Sequence, residues 1–206
     1  MNMSVQMPEP RVAGEKLSEG KTKAVYADLA DPLGVILVAK PDITAGDGAK
    51  HDVIEGKEVL ATQTTCNVFQ LLKASGVPVA YNERVDARSF SAARSNMLLL
   101  EVVVRRRGHG SYCVRFPHIP KDSIFPRLVF EVFLKTSGKR WGSVELPCDD
   151  PHAVYVPEKD SFALYDVKKP FFGQEPFHLV PAKEIFDNAS AQDMLEELEK
   201  IATKTF

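Results

Sequence analysis

Apolar positions along this chain fall into short runs and two helical stripes. Val35 to Ala39 is wholly apolar and follows the turn Asp31-Pro32-Leu33-Gly34, a pattern that predicts a central strand. Glu55 to Ser75 carries Val59, Cys66, Phe69 and Leu72, with Leu60, Val68 and Leu71, at helical spacing. It predicts one helix with a broad apolar stripe, ended by Gly76 and Pro78. Val77 to Tyr81 predicts the start of a strand, Asn82 to Asp86 is polar, and Ser89 to Asn96 reads as a connector of small residues. The apolar segment Met97 to Leu100 leads into Val102 to Val104, a β-branched run that suits a buried strand. Tyr112 to Phe116 predicts a short helix. Leu128 to Lys135 alternates Val129, Glu131 and Phe133 against Phe130, Val132 and Leu134, a strand with two mostly apolar faces. Thr136 to Asp150 reads as a polar loop with Trp141 as a packing anchor, and Val154 to Phe172 as short strands over a core edge. Asp193 to Thr205 predicts a last helix with Met194, Leu195, Leu198, Ile201 and Ala202 on its apolar face.

Composition narrows the class. Of 206 residues, 44% are hydrophobic and 26% charged, ordinary for a globular chain. A net charge of −2 argues against general nucleic-acid binding, so any anion work falls to a local basic site. No apolar run is long enough to span a membrane, and Met1 to Glu15 has no apolar core of a secretory signal. Cys66, Cys113 and Cys148 are widely spaced, which fits buried thiols in a reducing cytoplasm better than a disulfide or zinc framework.

Several segments carry candidate chemistry. Val104 breaks into Arg105-Arg106-Arg107-Gly108-His109-Gly110-Ser111, where guanidiniums, glycine backbone and a hydroxyl could meet an anion. A solvated basic turn explains the same residues about as well. Gly20-Lys21-Thr22-Lys23 resembles a hairpin whose two lysines share a strand face and suit a polyphosphate, although paired surface lysines are common. Asp47 sits between Gly46 and Gly48, which also describes a plain turn. Asp149-Asp150-Pro151-His152 sets two carboxylates beside a histidine, a metal or amine site or an ordinary turn.

Six of these segments, in this order, resemble the SAICAR synthetase family: Glu19 to Tyr26, Thr44 to Lys50 followed by Ile54 to Lys57, Gly76-Val77-Pro78, Glu101 to Arg105 with Gly110-Ser111, Phe133-Leu134-Lys135, and Asp150-Pro151. The resemblance covers about residues 17–155. It implies an α+β, two-lobed fold: a flexible arm over 1–16, a small sheet-rich ATP lobe over 17–101, and part of a larger α+β substrate lobe over 102–206. The implied activity joins the carboxylate of an aminoimidazole ribotide to aspartate in purine biosynthesis, with ATP and Mg2+. By the same resemblance, Lys21 and Lys23 meet the ATP phosphates, and Met97, Leu98, Leu99 and Glu101 form the hinge against adenine. Asp47, Arg105 and Ser111 hold the ribotide, with Lys135 and Asp150 lining its cleft.

The sequence also departs from the family pattern. The usual VVRN ends here in Arg105-Arg106, and Gly108-His109 replaces a pair of alanines. The stretch between Lys135 and Asp150 is long for the family. The family's DxKxEFG and GDExSPD segments have no counterpart; the nearest text is Tyr165-Asp166-Val167-Lys168-Lys169. These carboxylate-bearing segments hold magnesium in the family, so the expectation is weak turnover by residues 1–206 alone. A homo-oligomer or a completing C-terminal chain is the implied partner. The competing reading is a non-catalytic nucleotide- or ribotide-binding homologue, or one half of a split enzyme. A kinase-like phosphotransferase ranks last, since HRD- and DFG-like segments are absent.

Overall fold

The computed structural model describes residues 10–45, 50–136 and 138–206, with only the backbone of Thr44 and Ala45. The chain forms two compact units, residues 1–96 and 97–206.

The first unit is an antiparallel sheet under one helix. Its strands are β1 (Ala13–Glu19), β2 (Lys23–Asp28) and β3 (Gly34–Ala39), then the separate hairpin β4 (Asp42–Ala45) and β5 (Lys50–Val53). Helix α1 (Lys57–Ala74) follows, then β6 (Tyr81–Arg84) and β7 (Ser89–Ala93). The sheet order is β1-β2-β3-β7-β6, which puts the apolar run in the middle as expected. Cys66 and Phe69 of α1 pack on Val35, Tyr81, Phe90 and Ala92. Leu60 and Leu71 remain 71% and 66% exposed. Thr62 and Cys66 face the sheet, and an offset of two residues turns a helix by about 200°, so the broad stripe cannot all be buried at once.

Three expectations need correction here. Ala13 to Lys16 belong to a strand paired with β2, rather than to an arm. Ser89 to Ala92, expected in a connector, form a buried strand between β3 and β6. Phe90 and Ala92 face α1, while Ser89 and Ser91 alternate to the other face. Lys21 lies in the turn before β2, so it does not share a strand with Lys23; the turn closes through the Gly20 amide on the Lys23 carbonyl at 2.8 Å.

The second unit begins with β8 (Leu100–Arg107), α2 (Ser111–Arg115) and β9 (Ile124–Leu134). A minimal hairpin, β10 (Arg140–Trp141) and β11 (Val144–Glu145), lies within the expected polar loop. Next come β12 (His152–Val156), β13 (Ser161–Tyr165), β14 (His178–Pro181), α3 (Lys183–Phe186) and α4 (Ala191–Thr205). The sheet order is β14-β13-β12-β9-β8, antiparallel throughout. Met97 to Glu101, expected to end the first lobe, belong to this unit, because Leu100 and Glu101 already pair with Leu134 and Phe133.

Register gives this sheet two faces. Strand side chains alternate, so Val102, Phe130, Val132, Leu134, Ala153, Phe162 and Leu164 share one face with the core. Met194, Leu195 and Leu198 of α4 close that face, and Trp141 packs against the same core. The other face carries Arg105, Glu131, Phe133 and His152. No described helix is long and apolar enough to cross a membrane.

Candidate functional site

The polar face of the second sheet holds two clusters. At one end, Glu131 sits on β9 and is 5% exposed. Its Oε2 accepts from Arg105 Nε at 2.7 Å, and its Oε1 accepts from Arg115 Nη2 at 2.5 Å. Arg115 is fully buried, although it comes from the last position of a five-residue helix. Its Nη1 donates to the Ser111 hydroxyl at 3.2 Å. Serine and arginine four residues apart stand on one helix face, so one turn is enough to join them. The Arg115 guanidinium also lies 5.0 Å from the Phe133 ring centre, and both guanidiniums lie 5.9 Å from Tyr112.

His152 stands beside this group, with Nε2 3.8 Å from Glu131 Oε1. Burial and the Arg115 charge hold it down to about 4, against the opposing pull of Glu131. Near neutrality it is uncharged and makes no ion pair. Two guanidiniums therefore share one carboxylate, and the cluster carries one unbalanced positive charge. Arg105 has no other polar partner among the described residues, so both its terminal nitrogens are available to an anion. Ser111 is exposed, and accepting from Arg115 leaves its hydrogen free to be donated outward.

Gly110 makes this turn possible. Its φ of 58° and ψ of −135° belong to a region that only glycine enters readily, and it starts α2 one residue before Ser111.

At the other end of the face, four residues along β9 and about 13 Å at strand rise, lies Lys135. Its ammonium reaches Asp150 Oδ2 at 2.6 Å and Glu101 Oε2 at 3.3 Å. The hydrogen bond to Asp150 is the main cause of its raised pKa. Thr136 donates its amide to Asp150 at 2.9 Å and its hydroxyl to Asp149. The Thr136 hydroxyl bond holds the Asp149 carboxyl below its ordinary range. Beside this group, Leu99, Arg140, Trp141 and Glu184 line an open depression, and Trp141 Nε1 donates to Glu184 at 2.8 Å.

The structure thus joins Arg105 to Ser111, and Lys135 to Asp150 and Glu101. Asp47 lies outside the described residues. Met97 is exposed, Leu98 packs on the second core, and the Leu99 carbonyl accepts from the Lys135 amide. Lys21 and Lys23 belong to the first unit and have no ion-pair partner among the described residues. Sequence reasoning missed Arg115 and Glu131 as site residues, and it set His152 beside Asp149 and Asp150 rather than beside Glu131. The available signals were a lone carboxylate in an otherwise apolar strand and the serine–arginine spacing of four.

The expected carboxylates beside a histidine turn to separate partners: Asp149 to Thr136, Asp150 to Lys135, His152 to Glu131. Among the described residues, no group of three or more His, Cys, Asp or Glu side chains could hold a metal ion.

A family model described as SAICAR synthetase matches residues 16–141, more than half of the chain, and takes in Arg105, Ser111, Arg115, Glu131 and Lys135. The chain belongs to the SAICAR synthetase family. The phosphoribosylaminoimidazole-succinocarboxamide synthase of Chloroflexus aurantiacus is 47% identical over 126 residues, 61% of this chain and 50% of that protein. The chain spans about half the length of the curated relatives it matches. The crystal structure of the Ehrlichia chaffeensis synthase aligns with a TM-score of 0.55 and 28% identity, over 59% of this chain and 51% of that one. A SAICAR synthetase solved with ADP reaches 0.65 over 91% of this chain and 65% of that one; at 23% identity it bears on the fold alone. The fold is the α+β fold of this family.

Proposed function

We propose that this chain binds a nucleotide and a ribotide for an ATP-dependent ligase, one that joins the carboxylate of carboxyaminoimidazole ribotide to the amine of aspartate. The family match over residues 16–141 carries the reading. A carboxylate is a poor acyl donor. Transfer of the γ-phosphoryl group to it gives an acyl phosphate and ADP; the aspartate amine then attacks the carbonyl and phosphate leaves. Such chemistry asks mainly for positioning and charge neutralisation.

In this reading Lys21 and Lys23 meet the ATP phosphates, and Met97, Leu98, Leu99 and Glu101 the adenine. Arg105 and Ser111 take the ribotide phosphate through the free guanidinium fork and the outward hydroxyl. Lys135 and Asp150 line the far end of the ribotide site. Magnesium belongs to the reading, and no step is assigned to it. Three free cysteines fit the cytoplasm as the place of action.

A second reading is a binder that does not turn over. ADP release with ATP, magnesium, aspartate and the carboxylated ribotide tests the two. Release that depends on both aspartate and ribotide supports the ligase. Calorimetric binding of ATP and ribotide without release supports the binder, and binding of neither overturns both.

A further inference from the structure

The buried charge cluster is larger than an anion site needs. Arg105 and Ser111 alone could touch a phosphate, yet behind them stand Arg115, with no exposed surface, and Glu131, almost as deep. Burying such groups is costly, and apolar residues of similar volume commonly serve stability as well or better. Arg115 even leaves its Nε without a partner among the described residues. The arrangement therefore invites a role other than stability.

Its bonds converge on the two exposed members. Glu131 takes the Nε edge of Arg105, which fixes the guanidinium plane and turns the Nη1/Nη2 fork away from the carboxylate. Arg115 is held by the other oxygen of the same carboxylate and donates to Ser111 Oγ, which turns the serine hydrogen outward. One carboxylate thus sets two ligand-facing donors at once. It neutralises only one of the two cations, so the fork keeps its attraction for an anion.

We infer that Glu131 and Arg115 are positioning residues that pre-orient Arg105 and Ser111 for a phosphate monoester. The inference deepens the proposed function and rests on it for the identity of the ligand. Neither residue touches the ligand; each acts through the donor it holds. Preorganised donors bind without paying for side-chain ordering at the moment of association.

The test uses the full chain and SAICAR, the ribotide product, as calorimetric probe. Glu131→Gln is expected to weaken SAICAR binding at least tenfold, and Arg105→Ala by a similar factor. The double variant is expected to lose less than the product of the two single losses, because one of the two donors that Glu131 sets is already gone in Arg105→Ala. Losses that multiply in the double variant would overturn the inference and leave Glu131 as a general structural residue. In case Glu131→Gln does not fold, Arg115→Lys provides the parallel cycle: Ser111→Ala should weaken binding in the native background and change nothing once Arg115 is lysine. A ligand-free readout separates this inference from the proposed function. The Arg105 Nε–H signal, assigned by its loss in Arg105→Lys, should exchange slowly in the native protein and rapidly in Glu131→Gln, or in Glu131→Asp if the glutamine form does not fold. A native chain that ignores SAICAR yet shows this change would sink the ligand assignment and keep the positioning role. Fast exchange in the native chain would sink the positioning role itself.

Discussion

Lys135 donates to Asp150 at 2.6 Å across the ends of two neighbouring strands, and Asp150 holds that place with a left-handed φ of 41°. The same carboxylate accepts the Thr136 amide at 2.9 Å, so it closes the chain where β9 stops. Asp150→Ala loses both bonds and leaves alanine in a strained conformation, an expected loss of about 2–3 kcal/mol. Asp150→Asn tolerates the same φ and still accepts the amide, and the half-exposed ion pair it removes is worth about 1 kcal/mol or less. Urea denaturation of both variants checks this. Equal losses would show that the charge pair, rather than the local geometry, holds the corner.

Gly110 offers a sharper case, because space and backbone can be separated there. A Cβ at Gly110 would meet nothing within 4 Å, so crowding is not the issue. Its dihedral angles are, and Gly110→Ala is expected to lose about 1–3 kcal/mol. The start of α2 carries Ser111, so the variant should also bind SAICAR more weakly, even at temperatures where it stays folded. Unchanged affinity with reduced stability would mean that Ser111 is held without its turn.

His152 gives the protein an acid sensitivity of known sign. Its folded pKa of about 4 lies below the ordinary 6.5. Between those values the unfolded chain holds the extra proton, so stability rises with pH in this window. The contribution is fully present above pH 6.5 and is lost as pH falls from 6.5 through 4, by about 3 kcal/mol at most. His152→Phe keeps a ring against Phe133 and Phe171 and removes the titrating group. Denaturant midpoints at pH 7.5, 5.5 and 4.5 should show a shallower acid loss in the variant. Parallel curves would mean that His152 protonates freely in the folded state.

Lys21 is the exposed member of the first unit's lysine pair and has no ion-pair partner among the described residues. Under the proposed function its charge faces the polyphosphate tail. Lys21→Ala should weaken ATP binding by about tenfold, 1.4 kcal/mol, and AMP binding much less. Calorimetry with both nucleotides checks it, and equal loss for the two would remove Lys21 from the phosphate site.

Much of the framework was legible from periodicity. The central strand, α1, α4 and β9 follow directly from apolar spacing, since burial of one face dominates each element. Ser89 to Ala92 were not legible as a strand, because small residues carry little strand signal and their place in the sheet depends on pairing with strands distant in sequence. Arg105 and Ser111 could be singled out by chemistry. Glu131 and Arg115 could not, because their pairing depends on strand register and on a short helix folding back over β9, neither of which local pattern encodes. The split of Asp149, Asp150 and His152 among separate partners has a similar origin: the two carboxylates sit in the bend before β12 and close on Thr136 and Lys135, while His152 enters the strand and faces Glu131.

The shared carboxylate of Glu131 also has a bench-side consequence. A pocket with a surplus cation responds to whatever small oxyanion the solution offers. Sulfate or inorganic phosphate in a storage buffer should occupy the Arg105 fork, raise the melting temperature by mass action and mask ribotide binding in the same titration. A chloride-based amine buffer at low ionic strength should leave the fork open. Two laboratories working with the same chain could thus report a more stable protein that ignores its ligand, or a less stable one that binds it, and the difference would lie in the salt.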